Sequence, residues 1–395
     1  MKILQICPIF PPCPKSLASG VTNVVYGLSK ELARRGHEVK VYTSAALGLN
    51  KKIDHVNNPV SIEGIEVHYF PYTASYYTFF ITPSIIPVMR KSLKHFDIIH
   101  LHDIRCFQSI ICHHYAMQYN IPYVLQTNGS LPRMVGERRL KWLLDTAFGY
   151  RILRDASKVI AVTGVEAEQL RNRGLSENEI KIVPPGIDYT EFEHLPQKGE
   201  FRSKHGLNSS QRIILYLARV HKIKGPELLA KAFSRLLGEF SDTQLVFVGP
   251  DDGYLPALKK LVRELRIEEN VLFTGPLFGK EKLEAYVDAD VYVLPSSYEI
   301  FGLTVLEACA CGTPVVVTEA CGLANWVDQR TGFKVAHDEH RLQEAIGMLL
   351  TNEELRRQLG YQARELVRKE FSWHKAAQQM EKIYTELLPS SSAAG

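Results

Sequence analysis

Short apolar runs alternate with amphipathic helical segments along the chain, and this alternation limits its possible folds more than any other feature. In the first half the strand-like runs are residues 2–7, 38–43, 65–70, 97–101, 122–127, 158–162 and 180–183. Several are apolar throughout, as is typical of parallel strands covered on both faces. Between the first two runs, one helical face of residues 21–36 contains Val21, Val24, Val25, Leu28 and Leu32. Strands that alternate with helices predict an α/β doubly wound domain.

The pattern breaks at residues 183–192, VPPGIDYTEF, where two prolines and a glycine indicate a linker. It then restarts, with strand-like runs at 212–218, 244–249, 270–274, 291–295, 314–318 and 332–335. We therefore expect two Rossmann-like doubly wound domains, residues 1–185 and 186–370. A helix at 371–388 and a disordered tail at 389–395 would follow them. Two such domains facing each other form an interdomain cleft, and ligands of these sheets bind where the strands end.

The composition is that of an ordinary globular protein, with 45% hydrophobic and 23% charged residues. No apolar run is long enough to predict a transmembrane helix. The N-terminal run is too short, and too soon interrupted by prolines, for a signal peptide. The seven cysteines include no CxxC pair and fit a reducing compartment. We therefore expect a cytoplasmic protein.

Charge is distributed unevenly along the chain. Residues 1–185 contain 22 Lys and Arg against 14 Asp and Glu, whereas residues 186–395 contain 25 against 29. The first half therefore has a net charge of +8 and the second of −4, which gives the overall +4. A basic first half favours an anionic surface or substrate there. An uneven spread without functional meaning is the alternative.

Two glutamates, Glu299 and Glu307, follow the predicted strand at 291–295. A helix should start near 302–304, and the free backbone N–H groups at its start suit a phosphate. Gly302 would let the backbone approach such a ligand closely. Carboxylates accept hydrogen bonds from sugar hydroxyls, so two of them beside an anion site indicate a nucleotide sugar. The alternative is that Glu307 only complements the helix dipole.

Arg219 and Lys224 lie in the loop after the first strand of the second domain. Two cations there would neutralise a diphosphate and the charge that develops on a leaving group. Gly249 and Leu277 lie in the loops after the next two strands, where a base and a ribose would pass. Turn formation alone would explain these two loops equally well.

The first domain lacks GxGxxG after its first strand, which argues against a dinucleotide-dependent dehydrogenase. Only Gly20 precedes the following helix, as a candidate for close approach to a phosphate or an acceptor. We expect His100 and His102 to point to opposite faces of their strand, with His102 facing the cleft. The spacing of His100, His102, His113 and His114 fits no metal-ligand set, so no metal site is expected.

Residues 70–95 combine many aromatic residues with Arg90, Lys91, Lys94 and His95. An aromatic and basic surface suits an anionic membrane interface or a lipid-linked acceptor. Packing of the aromatic residues into the domain core is the alternative.

Several of these stretches resemble the retaining glycosyltransferases of family 4, which have the two-domain GT-B fold. EIFGLTVLEACACGTPVV resembles the family's Glu-x7-Glu signature, and LARVHKIKG resembles its Arg and Lys loop. KIVPPGID resembles its interdomain segment, and ELARRGHEVKVYT and IIHLHD resemble its N-terminal motifs. The resemblance covers nearly the whole chain.

The resemblance implies a role for each matched residue. Glu299 would contact hydroxyls of the donor sugar, and Glu307 would bind the ribose. The diphosphate would be held by Arg219 and Lys224 and by three backbone amides, those of Phe301, Gly302 and Leu303. The family needs no metal and transfers the sugar with retention on one face, so no protein nucleophile is required. Its C-terminal helix usually crosses back onto the first domain.

Two positions depart from the family pattern. Ser19 precedes Gly20 where the family often has two glycines, and Asn128 stands where it often has a histidine that contacts the donor sugar. An amide still forms hydrogen bonds but does not titrate, which argues against general acid–base catalysis at Asn128.

These observations predict a retaining glycosyltransferase that moves a hexose or N-acetylhexosamine from a nucleotide diphosphate sugar, of the UDP or GDP type, to a glycan or lipid-linked acceptor. No cofactor and no nucleic-acid partner is expected. The protein would be cytoplasmic, with peripheral contact to the inner membrane face through residues 70–95. A nucleotide-sugar 2-epimerase of the same fold and a non-catalytic partner subunit are the alternatives.

Overall fold

The computed structural model describes residues 1–10, 20–47, 52–53, 59–76, 79–132 and 138–388. The chain divides into two compact units, Met1–Gly186 together with Trp373–Gly395, and Ile187–Ser372. The predicted tail at 389–395 lies outside the described residues.

Two of the described sheets form the centres of the units. The strands of the first unit are β1 (Lys2–Ile6), β2 (Glu38–Ser44), β3 (Val60–Ile62), β4 (Ile65–Phe70), β5 (Ala74–Tyr76), β6 (Phe79–Ile81), β7 (Ile98–His102), β8 (Tyr123–Gln126), β9 (Lys158–Ala161) and β10 (Ile180–Ile182). The strands of the second unit are β11 (Arg212–Leu217), β12 (Thr243–Val248), β13 (Val271–Gly275), β14 (Val291–Leu294), β15 (Val315–Thr318) and β16 (Gly332–Val335).

Most of the α-helices lie between strands, and the last three follow β16. In chain order they are α1 (Gly20–Arg34), α2 (Ile85–Ser92), α3 (Phe107–Tyr119), α4 (Arg138–Leu144), α5 (Tyr150–Arg154), α6 (Gly164–Arg171), α7 (Glu200–Lys204), α8 (Pro226–Leu236), α9 (Leu255–Glu264), α10 (Gly279–Asp288), α11 (Leu303–Ala310), α12 (Ala324–Val327), α13 (Glu339–Thr351), α14 (Glu353–Glu370) and α15 (Trp373–Leu387). A π-helical turn, Asp145–Gly149, joins α4 to α5.

The first unit contains an eight-stranded sheet in the order β10-β9-β8-β7-β1-β2-β4-β3. All of its strands run parallel except β3, which pairs antiparallel with β4. After β1 the chain adds strands on one side, and it then returns to place β7 on the other side. The strand order therefore reverses between β1 and β7, which is the ligand-binding position in doubly wound sheets.

The second unit contains a six-stranded sheet in the order β13-β12-β11-β14-β15-β16, and every neighbouring pair is parallel. Here the order reverses between β11 and β14. The apolar runs form buried strands because helices cover the sheet on both faces, and β12, β14 and β15 are buried throughout. The prediction of two α/β doubly wound sheets is confirmed.

The C-terminal helix α15 packs within the first unit, against α1. Trp373 lies directly over Gly27, where an added Cβ would approach the indole Cε2 to 2.1 Å. Ala377 and Tyr384 of α15 are fully buried in the same core as Val25 and Leu32 of α1. A glycine is therefore needed at position 27 to admit the tryptophan.

Candidate active site

Lys224 and Glu299 meet at the edge of the second sheet, where the neighbouring strands β11 and β14 end. Lys224 Nζ lies 2.5 Å from Glu299 Oε2, and both side chains are largely buried. This is the position at which the strand order of the sheet reverses. The structure therefore brings two of the residues predicted from the sequence into direct contact.

Backbone contacts between the two loops fix this ion pair. Gly225 follows Lys224 with φ +70°, and an added Cβ would lie 1.9 Å from the carbonyl oxygen of Pro295. The Ser297 N–H donates to the carbonyl of Ile223 over 2.9 Å. A residue with a side chain at position 225 would push the loops apart, so this glycine sets the spacing of the Lys and Glu pair.

The loop after β15 holds Glu299 from its other side. The Glu299 N–H donates to the carbonyl of Ala320 over 3.1 Å, and the Gly322 N–H donates to the carbonyl of Glu299 over 2.7 Å. Since these two hydrogen bonds fix the backbone of Glu299, the point from which its side chain extends is defined.

Helix α11 begins directly after this loop. Gly302 is its N-cap, with φ +88°, and Leu303 is its first residue. Phe301 is buried and packs edge-on against Phe371, with ring centroids 5.9 Å apart. The first N–H groups of a helix have no acceptor within the helix. The backbone around Gly302 therefore presents donors beside Glu299, as the sequence predicts, although ligand binding by Phe301, Gly302 and Leu303 stays a prediction.

Glu307 lies within α11 and is hydrogen-bonded by two residues of α10. Lys282 Nζ lies 2.8 Å from Glu307 Oε1, and the Tyr286 hydroxyl donates to Glu307 Oε2 over 2.9 Å. Tyr286 is fully buried, and burial raises the pKa of its hydroxyl well above the ordinary value. Neither partner was predicted from the sequence, although their i, i+4 spacing places them on one face of α10.

Among the described residues, Arg219 pairs with a different carboxylate from the one that Lys224 contacts. Its guanidinium forms an ion pair with Asp252, in the loop after β12, and more than half of its side chain is exposed. Exposed pairs of this kind contribute less than about 1 kcal/mol, so Asp252 would not hold Arg219 away from an anionic ligand. The role predicted for Arg219 on a diphosphate stays a prediction.

Gly249 and Leu277 lie in the loops after β12 and β13, as expected. Gly249 has φ +144°, and an added Cβ would lie 1.9 Å from the carbonyl oxygen of Ala218. Its N–H donates to the carbonyl of Gly275 over 2.9 Å. The close approach of the Ala218 backbone is therefore sufficient to explain a glycine at position 249, and no ligand is needed for that explanation. Leu277 is half-buried, and its contact with a nucleotide stays a prediction.

The expectation that His100 and His102 point to opposite faces is wrong. Residues i and i+2 of a strand share a face, and the two ring centroids lie 4.1 Å apart. His102 is fully buried, with its Nε2 2.7 Å from Gln5 Oε1, and burial lowers its pKa to about 3. The ring is therefore neutral at pH 7. His102 ends β7, beside the point where the first sheet reverses, and its catalytic role stays a prediction.

Asn128 follows β8 in a left-handed conformation, with φ +49°. Its Oδ1 accepts a hydrogen bond from Gln126 Nε2 over 2.9 Å. Glu166, which the sequence analysis missed, is fully buried and accepts from the Thr127 hydroxyl and the Gly129 N–H, each over 2.6 Å. This carboxylate therefore holds the residues on both sides of Asn128.

A sequence signal for Glu166 exists in the capping pattern Thr163-x-x-Glu166 at the start of α6. The Thr163 hydroxyl accepts from the Glu166 N–H over 3.2 Å. The Glu166 side chain accepts from the Val162 N–H over 2.8 Å. One glutamate thus joins the start of α6 to the loop after β8.

Gly20 is exposed and begins α1. Residues 11–19, with Ser19 among them, lie outside the described residues. The predicted contact of Gly20 with a phosphate or an acceptor stays a prediction.

The segment 70–95 divides its residues between the core and the surface, and residues 77–78 lie outside the described part. Phe70, Phe80 and Met89 are buried, whereas Arg90 and Lys94 are exposed. Membrane contact through this segment stays a prediction. Across the described residues, we find no helix that combines the length and the apolar character needed to cross a membrane.

Among the described residues, no three or more His, Cys, Asp or Glu side chains are grouped so that they could hold a metal ion. Metal independence of the reaction stays a prediction.

Comparison with known families matches both halves of the chain. Residues 18–191 match the model described as Glycosyltransferase Family 4, and residues 197–366 match the model described as Glycosyl transferases group 1. A D-inositol 3-phosphate glycosyltransferase of Corynebacterium jeikeium is 28% identical, over 94% of this chain and 93% of that protein. An N-acetyl-alpha-D-glucosaminyl L-malate synthase of Bacillus anthracis is also 28% identical, over 95% of each chain.

Solved structures show the same fold over the full length of the chain. Sucrose-phosphate synthase of Thermosynechococcus elongatus superposes with a TM-score of 0.76 at 24% identity, covering 98% of this chain and 99% of that one. Anabaena HepE, in a complex with UDP and glucose, superposes with a TM-score of 0.77 at 18% identity, covering 98% and 100%. With two sheets that match those of the GT-B enzymes and two glycosyltransferase models that together span most of its length, this chain belongs to the glycosyltransferases of the GT-B fold.

Proposed function

We propose that the chain is a retaining glycosyltransferase that moves a hexose or N-acetylhexosamine from a nucleoside diphosphate sugar to a glycan or lipid-linked acceptor. The product would be a cell-surface polysaccharide, a glycolipid or a glycoprotein glycan, assembled on the cytoplasmic side of the membrane. The observation that supports this most directly is the ion pair of Lys224 and Glu299 beside the start of α11. It places a cation, an acceptor of hydroxyl hydrogen bonds and free backbone donors in one place.

The diphosphate of the donor would bind between Lys224 and the first amides of α11. A lysine ammonium has three donors, and Glu299 uses one of them, so two are left for phosphate oxygens. Arg219, which forms an exposed ion pair with Asp252, would turn to the diphosphate. The carboxylate of Glu299 would then accept hydrogen bonds from hydroxyls of the donor sugar.

The ribose would bind at Glu307. The carboxylate already accepts from Lys282 and Tyr286, one on each oxygen, and each oxygen has a further lone pair. These two donors orient the carboxylate before a ligand arrives, because Tyr286 is fixed by its burial. Binding of the vicinal hydroxyls would therefore cost little reorganisation of the protein.

In the reaction, the acceptor oxygen would bond to the anomeric carbon on the face from which the diphosphate departs. The bond between that carbon and the phosphate oxygen would break, and the proton of the acceptor hydroxyl would pass to the departing diphosphate. Lys224, Arg219 and the start of α11 would stabilise the negative charge that grows there. The amide of Asn128 would hold a sugar hydroxyl and would move no proton.

The relatives support a donor of this kind. HepE is described in complexes with UDP and with UDP-glucose, and the catalytic domain of an Arabidopsis thaliana starch synthase is described with ADP. We propose a UDP or GDP donor. The acceptor would dock on the first unit, whose sequence is basic. The Corynebacterium jeikeium relative is named after D-inositol 3-phosphate, which is a phosphorylated polyol.

A thermal-shift panel tests the donor site. UDP, GDP and ADP, followed by UDP-glucose, UDP-N-acetylglucosamine, UDP-galactose and GDP-mannose, would be added to wild type, to Glu307→Gln and to Glu239→Gln. Glu239 is an exposed glutamate of the same unit and serves as the control. We expect one nucleotide to raise the Tm of wild type and of the control, and to raise that of Glu307→Gln far less.

The matched donor would then be tested for transfer in the presence of EDTA, with the anomeric configuration of the product read by NMR. Retention of configuration and undiminished activity in EDTA are expected. Conversion of the donor without an acceptor would identify a 2-epimerase instead. Absence of any nucleotide-dependent shift would favour a non-catalytic subunit and overturn the proposal.

A further inference from the structure

The segment from α4 through α5, residues 138–154, exposes large apolar side chains. The exposed fraction is 54% for Trp142, 56% for Leu143 and 43% for Phe148. By contrast, Phe70 and Phe80, in the aromatic segment favoured by the sequence, are buried. Residues 138–154 therefore present an apolar surface that was not predicted from the sequence.

Six of the exposed residues follow one helical face. Residues at positions i, i+3, i+4, i+7, i+8 and i+11 are exposed, namely Arg139, Trp142, Leu143, Thr146, Ala147 and Tyr150. The opposite face is buried and includes Asp145, Gly149 and Ile152. The exposed face therefore carries large apolar side chains among its charged ones, whereas the large apolar side chains of an ordinary surface helix face the core.

A buried ion pair attaches residues 138–154 to the rest of the first unit. Arg105 Nε lies 2.7 Å from Asp145 Oδ1, and Arg105 Nη2 lies 2.9 Å from Asp145 Oδ2. Arg105 Nη2 also donates to the carbonyl of Leu131 over 3.0 Å. Because both charged groups are buried and bidentate, the segment is held at its inner face while its apolar side chains stay outside.

The exposed charges beside the apolar side chains are mainly positive. Arg138, Arg139 and Arg151 are exposed, and so is Arg154, whose Nε lies 3.2 Å from the carboxylate of the neighbouring Asp155. The acidic residue within 138–154 is Asp145, which is buried against Arg105. A surface that combines positive charges with large apolar side chains is complementary to a layer of negative charges that covers an apolar interior.

We propose that the α4–α5 face, defined by Trp142 and Leu143 with the exposed Arg138, Arg139 and Arg151, docks on an anionic lipid bilayer. Tryptophan prefers the boundary between headgroups and acyl chains, and arginines beside it bind lipid phosphates. Trp142 and Leu143 would enter this boundary. The inference goes beyond the proposed donor chemistry, and its test needs no nucleotide sugar.

The test is sedimentation of the full chain with vesicles of phosphatidylcholine alone and of phosphatidylcholine with phosphatidylglycerol at three to one. Wild type would be compared with the double variant Trp142→Ala/Leu143→Ala, with Arg138→Ala/Arg139→Ala, and with Tyr361→Ala. Tyr361 is an exposed aromatic residue of α14 in the second unit and serves as the control. Quenching of tryptophan fluorescence by brominated lipid gives a second, positional readout.

We expect wild type and Tyr361→Ala to bind the anionic vesicles and not the neutral ones. The arginine variant should lose roughly fivefold in partition coefficient per residue replaced. The Trp142 and Leu143 variant should lose both binding and the quenching by brominated lipid. Since all replaced side chains are exposed, circular dichroism and Tm should match wild type in each variant.

Equal binding to neutral and anionic vesicles would overturn the proposal, and so would undiminished binding of the Trp142 and Leu143 variant. A wild-type dimer that the same variant converts to a monomer, without vesicle binding, would identify the face as a contact between copies of the chain and would also overturn it. Loss of donor binding in the thermal-shift panel would leave the vesicle result unchanged, so the two proposals fail separately.

Discussion

Replacing Glu166 by glutamine tests whether one buried carboxylate holds the loop that contains Asn128. The carboxylate accepts three hydrogen bonds, and two of the three donors are backbone N–H groups that cannot turn into acceptors. The Thr127 hydroxyl and the Gly129 N–H both lie 2.6 Å from Oε1, and the Val162 N–H lies 2.8 Å from Oε2. A glutamine has only one oxygen, so it cannot accept at both positions.

The loss of unfolding free energy in Glu166→Gln follows from the orientation that the glutamine amide adopts. With its oxygen toward Thr127 and Gly129, its NH2 group faces the Val162 N–H, and one buried donor loses its acceptor. A buried donor without a partner costs about 1–3 kcal/mol. Burial raises the pKa of Glu166, so the ionised form is already held at some cost that glutamine removes. We therefore expect a loss of about 1 kcal/mol in unfolding free energy for Glu166→Gln, and about 3 kcal/mol for Glu166→Ala.

Urea unfolding of wild type, Glu166→Gln, Glu166→Ala and Glu168→Gln would measure these differences. Glu168 is an exposed glutamate of the same helix, for which a change within about 0.5 kcal/mol is expected. If Asn128 binds the donor sugar, kcat/KM should fall in both Glu166 variants and stay constant in the control. A Glu166→Gln variant as stable as Glu168→Gln would refute the reasoning that all three partners must donate.

Three further changes probe other parts of the fold. Burial lowers the pKa of His102 to about 3 from an ordinary 6.5, so folding favours the neutral ring. The calorimetric Tm of wild type should therefore fall as the pH drops from 6.5 toward 3. The Tm of His102→Gln should fall less over the same range. Gly225→Ala should cost at least about 2 kcal/mol in urea unfolding and abolish transfer, because its Cβ meets the carbonyl oxygen of Pro295 at a positive φ. Gly27→Ala should cost about 1–3 kcal/mol and expose α15 to limited proteolysis, because its Cβ meets Trp373.

Two other glycines serve as controls. Gly253 has φ +85° with no heavy atom within 4 Å of an added Cβ, so Gly253→Ala measures the backbone strain without the overlap. Gly164 begins α6 in open space, so Gly164→Ala should be neutral or stabilising. A Gly225→Ala variant no worse than Gly253→Ala, or a Gly27→Ala variant no worse than Gly164→Ala, would show that the overlaps relax. A steeper pH dependence in His102→Gln than in wild type would contradict the titration argument.

The two sheets could be predicted because each apolar run in the sequence contains one strand. Parallel strands buried on both faces are apolar along their whole length, and this signal does not depend on any other part of the chain. The strands that the sequence analysis missed, β3, β5 and β6, have three residues each. Runs of that length are too short to show a period of two.

The candidate site could be predicted only in part. Lys224 and Glu299 lie in loops that follow strands, and this placement made each of them a candidate. Their contact depends on β11 and β14 being neighbours in the sheet, and the sequence does not contain the strand order. The partners Tyr286 and Glu166 were missed for the same reason, because each acts on a residue that is distant in sequence.

The loops at the edge of the second sheet position the site mainly through contacts with each other. Gly225 lies against the backbone of Pro295, and Gly249 lies against the backbone of Ala218. Glu299 is held by backbone hydrogen bonds to the loop after β15. Since each loop is fixed by a loop from another strand, the placement of Lys224 against Glu299 depends on glycines that touch neither side chain. Substitution of these glycines should therefore impair transfer as severely as substitution of the charged residues, although nothing in their own chemistry takes part in the reaction.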